Sequence, residues 1–436
     1  MIGIVVSRAD EASEHIGEHL LDLADWRKVE DADRAEGDSG GAYYRHGAFE
    51  LRTFDDLHLH LEGVAGAFDD PDLVVFASRH AGETGALLTA HFTGNVGPAE
   101  YGGRDGELAR AAPNAHDSVL DALCEYAPDG YDVGMECTHH GPSSVGAPSM
   151  FVEVGSAEEQ WRDPDAARAV AHSVLDLDGG DPDRKRTVVG FGGGHYAPRF
   201  GRIARETDWA VGHVAADWGL DAMADFEEGT RRDVLEQAFE KSGAGASHAV
   251  LDGDRPEIET AIDDLGYRVV SETWVRETSG VPLDLVERAE HEISTVEAGL
   301  RFGDRLEVGD FEVCEPDPDL LGDANGIDAE RTREAIRAHA VAYDTEENGT
   351  RVAGRIAIPP GEYDDLIDAL VDILEARYGD ELVAVERAFV PERALELGVP
   401  EGPKFGRLAG GEPVEMDGET IPPDAVHEER TRRYRV

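Results

Sequence analysis

Lysine is almost missing from this 436-residue chain: Lys28, Lys185, Lys241 and Lys404 are the complete set, and arginine carries the rest of the positive charge. Lysine and arginine together number 40 against 93 aspartates and glutamates, a formal net charge of −53. Cysteine is scarce too. Cys124, Cys137 and Cys314 stand at unrelated spacings, which excludes a disulfide framework and a CxxC metal knuckle and fits a reducing compartment. No stretch approaches the length of a membrane span, and the opening MIGIVVSRADEASEHIG turns acidic too soon for a signal peptide. A soluble, cytoplasmic protein with no membrane partner is therefore expected.

Several catalytic signatures are also absent. GFGGGH lacks the third glycine of GxGxxG, and there is no GxxxxGK[ST], no HExxH and no GxSxG elbow. Dinucleotide-dependent oxidoreductases, P-loop nucleotidases and serine-triad hydrolases lose ground accordingly. The acid is spread through every segment and interleaved with hydrophobic periodicity, not gathered in a tail. That pattern describes the solvated surface of a protein from a salt-saturated cytoplasm. There the Debye length falls to about 3 Å at 1 M salt, and self-repulsion is screened. Net charge then reports habitat, and it excludes no nucleic-acid ligand.

The length points to two or three domains. Up to about residue 280, short apolar runs alternate with helix-period segments. IGIVVS, DLVVFASRH, ALLTAHF, YDVGMECTHH, MFVEVGS, RTVVGFGGGH, WAVGHVAADW, HAVLDG and YRVVSETWV read as strands, with helices predicted over 114–127, 157–178, 226–242 and 254–265. YYRHGAFELRTFDDLHLHLEG alternates with period two, as a hairpin does. The fold class predicted is α/β, a mainly parallel mixed sheet covered by helices. Residues 281–436 read as a second, α+β domain. It has helices near 328–341 and 361–378, strands near 352–358 and 382–388, and an Asp417-Gly418 hairpin turn.

In open α/β sheets ligands bind beyond the carboxyl ends of the strands. The polar residues at those ends are Ser78-Arg79-His80, Glu136 to Pro142, Gly192 to Arg199 and Gly212-His213, with His91 just before a Gly-Asn corner at Asn95. A lone strand-end histidine is usually structural; several converging on one edge indicate chemistry. In ECTHHGP a glutamate and two adjacent histidines follow a buried strand. Imidazole and carboxylate suit zinc. Successive strand residues face opposite ways, so His139 and His140 share a site only if the strand has already ended. Otherwise one serves the site and the other supports it, or both are structural. Gly192, Gly193 and Gly194 beside His195 read either as a tight strand-to-helix turn or as an anion nest of bare N–H groups.

The blocks SRHAGETGALLTAHFTGN, ECTHHGPSS, PSMFVEVGSAEEQW, VVGFGGGHYAPRF and GHVAADWGL resemble, in order, the archaeal and plant type of D-aminoacyl-tRNA deacylase over roughly residues 1–275. The resemblance implies a phosphorylase/hydrolase-like fold, dependence on Zn2+, and hydrolysis of the ester between a D-amino acid and the tRNA 3′ end. Its signature residues fall on His80, His91, Asn95, Glu136, His139, His140, Glu153, His195, Tyr196, Arg199 and His213, without dividing ligands from the rest. Residues 281–436 extend beyond its short members, and Asp217 stands where other members tend to be basic.

On this reading Glu136, His139, His195 and His213 are metal-ligand candidates, with His80, His140 and His195 as catalytic groups. His91, Asn95, Gly192, Gly193, Gly194, Tyr196 and Arg199 are expected to contact substrate, Tyr196 by stacking on the terminal adenine. The partner is D-aminoacyl-tRNA, and the chain is expected to be a monomer. Two other readings stay open. One is a phosphorylase-like or amidohydrolase enzyme acting on a small nucleoside or peptide; the other is a tRNA-binding module with structural histidines.

Overall fold

The first strand of the chain, β1 (Ile2–Ser7), is buried along its whole length, and it organises a large sheet. The structure is a computed structural model describing residues 1–177, 186–243, 245–307, 309–378, 382–400, 402–416 and 419–434. It divides into two units, Met1–Val275 and Arg276–Val436.

In the first unit β1 is followed by α1 (Glu11–Leu23), β2 (Arg27–Asp31), β3 (Gly41–His46), β4 (Phe49–Phe54), β5 (Leu73–Arg79), β6 (Leu87–His91), α2 (Pro113–Tyr126), β7 (Asp132–Met135) and β8 (Ser149–Gly155). These strands form one sheet in the order β2-β3-β4-β1-β5-β8-β6-β7. β3 and β4 make the hairpin that the period-two stretch predicts, and a 3-10 turn at His58–His60 follows it. β4, β1, β5 and β8 run parallel, whereas β6 is antiparallel to β8 and carries β7 with it. The reversal has a simple cause. A parallel return needs a crossover of a dozen or more residues, and only residues 80–86 separate β5 from β6.

The chain continues through α3 (Glu158–Trp161) and α4 (Pro164–Leu175), two helices where one was predicted over 157–178. The division falls at Pro164, which occupies the first turn of α4 under the Asp163 cap; residue 178 lies outside the described residues. A second, wholly parallel sheet follows, built from β9 (Thr187–Gly192), α5 (Pro198–Glu206), β10 (Ala210–Ala215), α6 (Asp217–Met223), α7 (Glu228–Glu240), β11 (His248–Asp252), α8 (Pro256–Asp264) and β12 (Arg268–Val270), with strand order β10-β9-β11-β12. YRVVSETWV is strand only as far as Val270; from Glu272 it is helical.

Phe76 and Phe151 stack at 4.7 Å on one face of the large sheet, within a core that includes Val5, Phe54, Val64 and Phe68. Phe191, Leu220, Leu235 and Phe239 fill a separate core beside the parallel sheet. The sheets are joined where the chain leaves β7: the Cys137 N–H donates to the His195 carbonyl (2.8 Å) and the Thr138 N–H to that of Val214 (2.8 Å).

The second unit is α+β. Strands Arg301–Phe302, Glu312–Cys314, Ala342–Glu346 and Arg351–Ile358 form an antiparallel sheet against helices Pro318–His339 and Tyr363–Tyr378. The first helix starts ten residues before the predicted 328 because Asp317 caps it and Pro318 suits its first turn; it kinks at Asp328. Leu382–Phe389 pairs with His427–Tyr434, and Val414–Met416 with Glu419–Ile421. The Asp417-Gly418 turn lies outside the described residues. Among the described residues no helix is long and apolar enough to cross a membrane.

Candidate active site

Register places the site. On β8, Phe151 and Glu153 project from one face, and they pair with His91 and Thr89 of β6; Ser78 of β5 pairs with Glu153. A glutamate in the middle of an apolar, fully buried strand is costly unless it is paired. Ser78 Oγ donates to Glu153 Oε1 (2.7 Å), His80 Nδ1 lies 3.7 Å from Oε2, and His91 Nε2 lies 3.7 Å from Oε1. The site is therefore built on a sheet face. The expected common edge of carboxyl ends does not form, because β6 and β7 run against β8.

β7 ends at Met135, and the next five residues carry the densest chemistry. Glu136 is buried, its Oε2 accepting from His195 Nε2 (2.7 Å) and its Oε1 3.2 Å from His80 Nδ1. His140 takes a left-handed conformation (φ 54°), so the chain has left the strand before the histidine pair completes. That turn lets both adjacent histidines enter one site. The His91, His139 and His140 rings lie 4.4 to 4.8 Å apart, with His91 flat on Phe151 at 5.1 Å.

Carbonyl oxygens only accept, and this places a proton on one nitrogen of each of three rings. His91 Nδ1 faces the Phe92 carbonyl (2.9 Å), His139 Nδ1 that of Cys137 (2.9 Å) and His140 Nδ1 that of Gly141 (3.0 Å), so each Nδ1 carries the proton. His139 and His140, where neutral, keep a lone pair on Nε2, whereas burial works to lower His91 and Glu153 outweighs it, holding that ring above the usual histidine range. One ring nitrogen from each of the three lies within 4.8 Å of the others. His91 Nε2 is buried without a hydrogen-bond partner. Two further groups of donors fit a metal by distance: His80, Glu136 and His195, and Cys137, His139 and His195.

Burial and neighbouring imidazoles hold His139 well below the usual histidine range, and burial brings His140 down to about 4. Both are neutral, as ligation requires. Burial works to lower His80, but its bonds to Glu136 and Glu153 outweigh that and push it up to about 11. Burial likewise opposes ionisation of the two glutamates, and their histidine partners overcome it, holding both carboxyls below the usual range. Burial, then the Glu136 charge, pushes the Cys137 thiol up to about 12, so it is no nucleophile at neutral pH.

The structure thus brings together His80, His91, Glu136, His139, His140 and His195. His91 joins the donor groups instead of the substrate contacts expected of it. His140 is a poor proton carrier, being held neutral with its Nδ1–H on a carbonyl. His213 is placed apart: its Nδ1 meets Thr138 Oγ1 (2.9 Å) and its Nε2 the Ala109 carbonyl (2.8 Å), leaving no nitrogen for a metal.

Tyr196 bonds His80 Nε2 through its hydroxyl (3.1 Å), and its ring stands edge-on to both His80 and His195, so it is engaged inside the cluster and not offered to a base. Asn95 Nδ2 donates to the Gly102 carbonyl (2.9 Å) and braces a loop. Arg199 is held by Glu272, Asp252 and the Leu251 carbonyl. The glycine turn has a steric cause. A Cβ on Gly192 would come within 2.3 Å of the Asp252 carbonyl oxygen, and one on Gly193 within 2.5 Å of its carboxylate, at φ 99° and 76°. With that carboxylate against it, the turn does not form the expected anion nest; Gly194 alone is open. Asp217 is paired with Arg255 at 2.6 Å.

Sequence reasoning left Glu153 without a role, although a lone acid amid MFVEVG was a usable signal. It placed Ser78 at a strand end without a partner, and it missed the ligand geometry of His91. Gly155 belongs here too, since a Cβ there would come within 2.8 Å of the His80 ring.

A family model described as D-aminoacyl-tRNA deacylase matches residues 67–270. A protein of Natronomonas pharaonis named D-aminoacyl-tRNA deacylase is 54% identical, with 100% of both chains covered. One of the same name from Haloarcula marismortui is 53% identical, again over 100% of each. A third, from Methanococcoides burtonii, is 33% identical over 100% of this chain and 96% of its own. These relatives therefore share the segment after residue 280. The crystal structure of a conserved protein of unknown function, AF0625, superposes with a TM-score of 0.56 at 28% identity, covering 64% of this chain and 98% of that one.

Proposed function

The chain belongs to the D-aminoacyl-tRNA deacylase family, and from that premise we propose that its buried histidine–carboxylate cluster hydrolyses the ester between a D-amino acid and the 3′ end of tRNA, with zinc as its metal. The enzyme is a hydrolase of D-aminoacyl-tRNA; the finer assignment, a carboxylic ester hydrolase, follows from the bond cleaved. The observation that carries the site assignment is the convergence of three imidazoles, His91, His139 and His140, each oriented by an Nδ1–H bond to a carbonyl and two of them held neutral by burial.

That donor set fits zinc, which accepts imidazole nitrogen in threes and leaves a position open. His91, His139 and His140 would hold it, with Glu136, His80 and His195 alongside. When bound, zinc supplies Lewis acidity, polarising a carbonyl and lowering the pKa of a water from 15.7 to about 7. The chain's own residues divide the proton traffic. Glu136, ionised and held by His195, accepts the proton of the water that attacks the ester carbonyl carbon. As the carbon–oxygen ester bond breaks, the ribose oxygen takes a proton. His80 is protonated between two carboxylates and bonded to Tyr196, so it can supply that proton through the phenol hydroxyl. The activated ester asks for no covalent intermediate.

The haloarchaeal relatives and the even spread of acid support a halophilic, cytoplasmic protein. In molar KCl the purified chain releases D-tyrosine from D-tyrosyl-tRNA and spares the L-tyrosyl ester; release of neither, or of both at equal rates, refutes this function.

A further inference from the structure

Large hydrophobic side chains exposed among the described residues are Tyr101 (65%), Trp218 (52%), Leu395 and Leu397. The two aromatics belong to the first unit, and both stand beside the histidine cluster. The Tyr101 carbonyl accepts the N–H of Gly141 (3.0 Å), directly after His140. The Trp218 indole interacts with the thiol of Cys137, which also faces His195 Nδ1 at 3.8 Å. They therefore stand at the two ends of the Cys137–Gly141 segment.

Both are held in place. Buried Asn95 ties the Tyr101 loop through the Gly102 and Arg104 carbonyls, and the Arg104 N–H donates to Ser143 Oγ (3.0 Å). The Asp217 N–H donates to the Gly193 carbonyl (2.9 Å), and Arg255 pairs with Asp217 and Asp221, one on each side of the tryptophan. An exposed aromatic ordinarily lowers solubility, and among the described residues no other large hydrophobic aromatic is exposed to this degree. Fixed exposed rings beside a catalytic cluster call for a ligand with flat faces.

Resting on the function proposed above, we propose that Trp218 and Tyr101 are the stacking platform for the unpaired bases at the 3′ end of the substrate tRNA. With the ester at the cluster between the two rings, the terminal base meets one ring and the base preceding it the other. Phosphate attraction is weak against a chain of net charge −53 and is screened further in molar salt. Base–aromatic stacking needs no charge on the protein and tolerates salt, so it is the interaction this surface can offer.

The test uses the full chain in molar KCl. Trp218→Leu and Tyr101→Ala each raise KM for D-tyrosyl-tRNA about tenfold with kcat changed far less, and Trp218→Phe retains most of the affinity. A 5′-ACCA oligonucleotide quenches tryptophan emission of the wild type, and Trp218→Phe loses that quench. Unchanged KM in both Trp218→Leu and Tyr101→Ala overturns the proposal. So does a wild-type dimer that Trp218→Leu dissociates without altering KM, which would make the aromatics an interface between copies. If the wild type releases no D-tyrosine, the function falls, while the oligonucleotide quench still judges the platform.

Discussion

Glu136→Gln lowers kcat for D-tyrosyl-tRNA hydrolysis by a factor of about 10²–10⁴ and leaves the protein folded. The amide keeps the size of the side chain and can still accept from His195, now 2.7 Å from Glu136 Oε2. What it loses is the basic lone pair that receives the water's proton. It also removes one of the two carboxylates that keep His80 protonated, so the proton donor weakens together with the acceptor. The three imidazoles His91, His139 and His140 keep their carbonyl partners, and the variant should retain metal. Stopped-time assays of D-tyrosine release with metal analysis of the same sample check both parts. A near-normal kcat would remove Glu136 from the chemistry.

The second large effect is on stability in acid. His58, His116 and His213 are fully buried and burial holds each near 4, against an ordinary 6.5. Their surroundings explain the neutral state: His58 lies edge-on to Phe76 and Phe151, His116 beside Phe92, and His213 between Thr138 and the Ala109 carbonyl. A histidine with a depressed folded pKa contributes stability that is fully present above the unfolded value of 6.5. That stability is lost as pH falls toward 4, because the unfolded chain binds the proton first. Each group gives a limiting slope of about 1.4 kcal/mol per pH unit, so the three together approach roughly 4 kcal/mol per unit. Against a usual total of about 5–15 kcal/mol, unfolding should begin between pH 6 and 5. Asp10 opposes this slightly, since burial raises its carboxyl. Denaturant titrations in molar KCl at stepped pH measure the slope; a flat line from pH 6.5 to 5 would contradict it.

Much of the architecture could be read directly from the chain. Strands buried on both faces appear as runs such as LVVFAS and TVVGFG, which few other structures produce. The Glu136–His140 motif and His195 were legible because a histidine-rich turn after a buried strand has few structural uses. Strand direction was not. The reversal at β6 depends on seven connecting residues and on β8 inserting between β5 and β6, a pairing made 60 residues later. That reversal moved the site from an edge to a face and hid the roles of His91 and Glu153. His213, Asn95 and Arg199 misled for a different reason. Each has the chemistry of a ligand or phosphate contact, and each is spent on structural partners: His213 on Ala109 and Arg199 on Asp252 and Glu272, all distant in sequence, and Asn95 on the carbonyls of the loop that follows it, at Gly102 and Arg104. The glycine turn misled similarly, since its glycines make room for Asp252 and not for a substrate.

The most direct test of a metal-assisted deacylase built on these histidines joins metal content to turnover. Wild type and His139→Ala are assayed for bound zinc and for D-tyrosine release from D-tyrosyl-tRNA, before chelation, after it, and after zinc is restored. Wild-type activity should fall with the metal and return with it, while His139→Ala, folded by circular dichroism, should neither bind zinc at unit stoichiometry nor recover. Full activity in the metal-free wild type, or in His139→Ala, would contradict the account.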